Sequence, residues 1–195
     1  MRKLVYLINA TIDGYIAGPA GQSDFFLLEG DHQEELSAEF PETVPRPLRP
    51  QLGLNGAPNR RFDTVIMGRS SYQPAMAAGV TSPFPHLRQY VISRTLADAD
   101  PELIVDGDPL DLVRRLKRDH GLDIWLSGGG RLAGALLSEI DELIVKQHPI
   151  VAGAGIPLFT GPFHPTRFTP AAERTFRSGV RLLRHVAHVH RRDEP

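Results

Sequence analysis

Four short stretches place glycine, arginine and hydroxyl side chains directly behind apolar runs. They are NATIDGYIAG at 9–18, MGRSSY at 67–72, SRT at 93–95 and SGGGR at 127–131. Glycine at a helix start bares backbone N–H groups, which together with the helix dipole can hold an anion. Arg69 and Arg94 each follow a strand end directly, and forked guanidinium groups suit a phosphomonoester. Gly128, Gly129 and Gly130 would each weaken a strand or helix by roughly 0.5–1 kcal/mol, so bulk must be excluded there. Each signal alone has a plain structural account: three glycines before a helix also allow close strand-on-helix packing, and an arginine at a helix start is commonly a solvated residue. Four such strand ends in one chain point to a phosphate-bearing ligand. The glycine run is neither the GxGxxG of a Rossmann turn nor a Walker A loop, since GGGRLAG lacks the Gly-Lys-Ser/Thr end.

Other side chains could handle a substrate. The loop QSDFFLLEGD at 22–31 offers Asp24, Glu29 and Asp31 beside two phenylalanines. Asp24 reads as a substrate carboxylate or as a turn residue, and Asp31 as a helix cap with Glu34 three residues on. In IVKQHP at 144–149, strand alternation sets Val145 and Gln147 on one face and Lys146 and His148 on the other. Gln147 and His148 are candidate substrate contacts; a lone histidine is also often structural. His188 and His190 share a strand face, but no third ligand is evident and no metal is expected. Ser127 before Gly128 lacks the flanks of a nucleophile elbow. The absence of cysteine removes thiolate metal sites and a cysteine nucleophile.

These residues need a scaffold. Composition is that of a globular domain, 41% hydrophobic and 23% charged over 195 residues, enough for one good core. No apolar run approaches the roughly 20 residues of a membrane span. A net charge of −1 gives no reason to expect a nucleic-acid partner. MRKLVYLINATIDG reads as a strand and an Asp-Gly turn instead of a leader; a cytoplasmic location is expected. Apolar runs at KLVYLINA, FDTVIM, RQYVI, ELIV, LDIWL and ELIVKQ predict strands. TIDGYIAG reads as a loop. Helices are predicted around 31–40, after Gly68, after Asp108 as cap with Pro109 at the first helical position, and after the glycine run. Residues 41–61 carry five prolines and two glycines, an irregular excursion. The terminal VRLLRHVAHVH alternates as an antiparallel strand, and its open edge, with Leu182, Leu183, Val186 and Val189, suggests a homodimer. The sum is one α/β domain over 1–195, three-layered α/β/α, with a mostly parallel sheet ending in an antiparallel hairpin.

The chain resembles the dihydrofolate reductase-like fold, and within it the RibD C-terminal-like branch named for the reductase domain of riboflavin biosynthesis. The resemblance runs from Lys3 to about His190 and rests on FDTVIMGRSSY, YVISRT, IWLSGGGRLAGALL and ELIVKQHPIVAGAGIPLF, with IDGYIAG in support. It implies NADPH as cofactor. Gly68, Arg69, Ser70 and Ser71 would lie along the phosphates; Ser93, Arg94 and Thr95 would hold the adenosine end, with the arginines selecting the 2′-phosphate. Gly128, Gly129, Gly130, Arg131 and Leu132 would approach the pyrophosphate, with a cis peptide between Gly128 and Gly129. Asn9, Ile16 and Ala17 would border the nicotinamide. Asp24 and Phe25 resemble the branch's Asp-aromatic pair, which implies Asp24 as a catalytic-site residue whose carboxylate bonds to the substrate and Phe25 as a stacking ring. The acid that dihydrofolate reductases carry on their first helix has no clear match, because the region is shifted and contains Gly30. Dihydrofolate is therefore not the expected substrate.

The expectation is an NADPH-dependent reductase of a pterin, pyrimidine, flavin-like or sugar-linked compound. Its rivals are a silent nucleotide- or pterin-binding module of the same fold and an unrelated phosphate-ester enzyme. The reductase of riboflavin biosynthesis commonly carries a zinc deaminase domain with cysteines, which this chain lacks; the resemblance implies the reductase half or a stand-alone relative.

Overall fold

The computed structural model describes residues 1–96, 100 and 103–188. Its centre is an eight-stranded sheet in the order β5-β4-β3-β6-β1-β7-β10-β9. The strands are β1 (Leu4–Ala10), β3 (Phe62–Gly68), β4 (Arg88–Ile92), β5 (Leu103–Asp106), β6 (Asp123–Gly128), β7 (Glu142–Gln147), β9 (Phe168–Thr175) and β10 (Arg181–Ala187). The pairings from β5 to β7 are all parallel, and β10 and β9 complete the sheet antiparallel. This is the three-layer α/β architecture with a terminal hairpin that the sequence pattern predicts.

The central strands are apolar on both sides because helices cover both faces. Val5, Leu7, Val65, Met67, Trp125 and Ile144 pack with Leu36 of α1 (Asp31–Glu39) and Tyr72 of α2 (Arg69–Ala77). Leu4, Tyr6, Ile66, Ile124 and Leu126 pack with α3 (Pro109–Arg118) and α4 (Gly130–Ala135). The lone tryptophan is core: Trp125 donates its indole N–H to the Leu7 carbonyl at 3.0 Å and meets the Phe84 ring edge-on at 5.0 Å.

Helix ends are set partly by local chemistry. Asp108 caps α3, accepting from Leu110 and Asp111 N–H, with Pro109 at the first helical position as predicted. The cap expected of Asp31 is not there. Gly30 is the N-cap of α1, and the Asp31 carboxylate accepts from the distant Arg177 and Ser178 N–H groups at 2.7 and 3.1 Å. It staples α1 to the β9–β10 turn.

Two other elements differ from the sequence reading. TIDGYIAG contains a strand, β2 (Tyr15–Ala17), which pairs with β8 (Ile156–Pro157) outside the main sheet. β10 is not an open edge, because it lies between β7 and β9. Leu182 is buried, and Val189 and His190 lie outside the described residues. The proline-rich excursion has a single 3-10 turn at Pro41–Thr43. It is anchored by two buried charges. Glu42 accepts from the N–H groups of Arg60, Arg61 and Phe62. Arg49 donates to the carbonyls of Pro41, Leu54 and Ala57.

Candidate cofactor and substrate cleft

Parallel strands β1, β3, β4, β6 and β7 all end on one side of the sheet, the side on which open α/β sheets bind their ligands. At β3, a Cβ added to Gly68 would stand 3.5 Å from the Gly128 carbonyl and 3.6 Å from the Gly129 nitrogen, so the β3 and β6 ends touch. Gly68 is the N-cap of α2 and brings no side chain to its first N–H groups. Ser70 is exposed; Ser71 turns its Oγ towards the glycines, 3.5 Å from where a Gly129 Cβ would lie. Arg69 reaches across to the end of β4 and donates to Thr95 Oγ at 2.5 Å. Ser93 Oγ accepts from Thr95 and Leu96 N–H at 3.2 and 3.0 Å, so it shapes the turn that carries the exposed Arg94.

The glycine run divides in two. The Gly128–Gly129 peptide is cis, as the resemblance implies, and Gly128 takes a φ of 120° that favours glycine. A Cβ added to Gly128 would meet Ile8 and Ser71, and one added to Gly129 Ser71 and Ile16, at ordinary van der Waals distance. Gly130 and Gly134 serve packing instead. A Cβ on either would collide with a backbone carbonyl, that of Pro157 or of Thr160, and Gly130 O accepts from Thr160 N–H at 2.9 Å. Arg131 is exposed, whereas the Leu132 side chain is buried in the core.

The substrate-side candidates are scattered. Asn9 on β1 stands in register with Lys146 on β7. His148, two residues on, is only 2% exposed. Its Nδ1 accepts from Leu27 N–H at 3.2 Å and its Nε2 faces Asn9 Oδ1 at 3.3 Å, so it is a neutral Nε2–H tautomer with both nitrogens engaged. Burial, with His32 and Lys146 nearby, pushes its pKa down to about 4. The Phe26 ring lies tilted against His148 with centroids 4.7 Å apart, and Phe25 lies at 4.5 Å from Phe26. Asp24 is exposed in the same loop, without a hydrogen bond or ion pair among the described residues. Gln147 faces the other side of the sheet and accepts from Arg181 at 3.1 Å.

Two residues outside the expected set also shape the cleft. Asp13 accepts from Thr11 Oγ at 2.6 Å and from Ala152 and Gly153 N–H, which ties the turn after β1 to the segment after β7. Lys146 is half-buried beside Asn9 and His148, and burial pushes its ammonium down to about 8. It has no hydrogen-bond or ion-pair partner among the described residues. The signal was present in the sequence: a lysine, one of three in the chain, within the apolar run ELIVKQ.

Comparison with known proteins fixes the family. The model of the RibD C-terminal domain matches residues 2–182. The chain belongs to the RibD C-terminal domain family. That family is related to the reductase of riboflavin biosynthesis. This RibD C-terminal domain protein is 28% identical over 193 residues to the uncharacterised protein YyaP of Bacillus subtilis, covering 92% of each chain. It is 29% identical over 186 residues to the uncharacterised YwjB of the same organism, covering 93% of this chain and 96% of that one. Among solved structures it resembles a protein of Shewanella sp. PV-4 provisionally named for riboflavin biosynthesis. The TM-score is 0.68 at 20% identity, over 96% of this chain and 99% of that one. It also resembles Acinetobacter baumannii RibD, with TM-score 0.65 at 15% identity, over 96% of this chain but 58% of that longer one. Both likenesses establish the fold. Among the described residues, no helix is long and apolar enough to cross a membrane.

Proposed function

We propose that this RibD C-terminal domain protein is an NADPH-dependent reductase of a small heteroaromatic or sugar-linked acceptor. The observation that carries the reading is the convergence of three strand ends: the Arg69–Thr95 contact joins β3 to β4, and the Gly68–Gly128 approach joins β3 to β6. The residues fit a dinucleotide. Exposed Arg69 and Arg94 supply forked donors for a phosphomonoester. The bare backbone at Gly128–Gly129 admits a pyrophosphate where a side chain would not.

When bound, the nucleotide supplies the hydride. The chain binds it, orients it against the ends of β1 and β6, and holds the acceptor over Asn9. Titrating NADPH and NADH against the purified protein and following nicotinamide fluorescence tests this. Micromolar NADPH binding with much weaker NADH is expected, and no binding of either discards the reductase. In Arg69→Ala with Arg94→Ala, NADPH affinity is expected to fall by about 1.5–3 kcal/mol for the lost charged hydrogen bonds, with a smaller effect on NADH.

A silent binding module is the second reading, favoured by the exposed Asp24 and the fully engaged His148. NADPH oxidation with a panel of pterins, flavins and pyrimidines separates the two. We infer also that the protein forms a homodimer. A groove of about 410 Å³ beside α4, lined in part by Leu137, Phe159 and Phe163, supports a covered surface. Sedimentation showing only monomer at micromolar concentration discards that inference.

A further inference from the structure

Lys146 sits where parallel strands β1 and β7 end, opposite Asn9 on one side and Leu182 of β10 on the other. Its alternation with Ile144 and His148 turns it to the face that α1 covers. A half-buried ammonium with no partner among the described residues is an unfavourable thing to keep, since buried polar groups are normally satisfied. A partner from outside the chain would resolve it.

The neighbouring groups do not compete for the role. His148 has both ring nitrogens engaged, and His32 of α1 directs Nε2 to the Leu27 carbonyl at 3.0 Å. Asp31 is tied to the β9–β10 turn, and Asp24 lies exposed in its loop. The titratable groups on this face near Lys146 are thus two imidazoles, His148 on its own strand and His32 on α1. Arg184, further along β10, is paired with Glu39. Among the described residues, no carboxylate pairs with the ammonium.

We propose that Lys146 is the proton donor of the cleft, giving an ammonium proton to the heteroatom of a C=N or C=O bond in the acceptor. This rests on the dinucleotide reading above. The Nζ–H bond breaks, an N–H or O–H bond forms on the acceptor, and water returns a proton to the amine. The hydride that completes the reduction at carbon is the chemistry the nucleotide supplies. The assignment restricts the substrate class to imines, ring C=N bonds and carbonyls. An ammonium that burial has made more acidic is suited to the task near neutral pH.

The test needs no substrate. The chain has three lysines, Lys3, Lys117 and Lys146, so reductive methylation with ¹³C-formaldehyde gives three lysine signals and that of the N-terminal amine. Lys146→Met assigns the third. The Lys146 signal is expected to titrate near pH 8, and at a still lower pH with NADP⁺ bound than with NADPH bound, because only the oxidised ring is cationic. Independently, Lys146→Met is expected to tighten NADP⁺ relative to NADPH by about tenfold, the repulsion of two nearby charges. Lys146→Arg should retain the wild-type ratio. If NADPH binds but the lysine titrates like an ordinary one, or neither its midpoint nor the affinity ratio distinguishes the two nucleotides, Lys146 is not beside the reacting ring. The dinucleotide reading then survives without it. If neither nucleotide binds the wild-type protein, both fall together.

Discussion

Alanine at Gly130 or Gly134 would set a Cβ against a backbone carbonyl, whereas at Gly129 the nearest atoms are Ser71 Oγ at 3.5 Å and Ile16 Cδ1 at 3.9 Å. Gly130→Ala and Gly134→Ala are therefore expected to lower stability by about 1–3 kcal/mol each, as overpacking does, read by urea unfolding. Gly129→Ala acts on the cradle, and its signature is weaker NADPH binding by the folded protein. His148 yields a pH prediction. Its imidazole titrates near 4 in the native protein, below its ordinary 6.5, so the unfolded chain binds more protons between those values. Stability is expected to fall as pH drops from about 6.5 towards 4, by at most on the order of 3 kcal/mol. His148→Gln should flatten that part of the curve. Residue-scale legibility followed sequence distance. The Asp108 cap bonds to neighbours and could be read directly. The partners of Asp31 lie 146 and 147 residues away and left no local trace.

Between elements, two carboxylates hold segments that sequence pattern leaves loose. Asp13 joins the turn before β2 to the segment before β8. The Thr11 hydroxyl, with the Ala152 and Gly153 N–H groups, holds its carboxyl down to about 2. Its stabilising effect is present above the usual carboxylate range and is lost as pH falls towards 2. Asp13→Ala is expected to speed amide exchange at Ala152 and Gly153 without unfolding the sheet. Glu42 holds the proline-rich excursion against the start of β3 through three N–H groups. Glu42→Ala strands those donors, and a loss on the order of 3 kcal/mol in thermal or urea unfolding is expected. The long apolar strands and the helix after Asp108 were legible because their periodicity is local. The three-residue β2 was not, because its strand character comes from pairing with β8 about 140 residues later. The excursion's irregularity was legible; that it is a strap anchored by buried Glu42 and Arg49 was not.

At the scale of the whole molecule, the strand-end pattern carried the architecture, since α/β sheets bind ligands where parallel strands end. The residues proposed for the phosphates sit on three adjacent strand ends, β4, β3 and β6, so one local pattern marks them all. The substrate side was harder to read, because its polar groups come from a loop, two strands and a helix. Lys146 is marked in the sequence only as a lysine within an apolar run; its place opposite Asn9 comes from the β1–β7 register. The terminal edge also changed its meaning. β9 is the outer strand, and Pro170 within it removes one ladder donor. A homodimer is therefore expected to meet through a face or a groove. A charge placed on the β9 edge, as in Ala172→Lys, should leave the sedimenting mass unchanged.

Trp125 is the chain's single indole, fixed in the core by Leu7 and Phe84 on the face that also carries Asn9 and Lys146. Its emission therefore comes from one rigid location, and reduced nicotinamides absorb where indoles emit. Excitation of this residue should pass energy to NADPH held at the sheet's carboxyl end but not to NADP⁺. With the nucleotide bound as proposed, this single indole would serve as an optical gauge of core integrity and of the nucleotide's redox state in one spectrum.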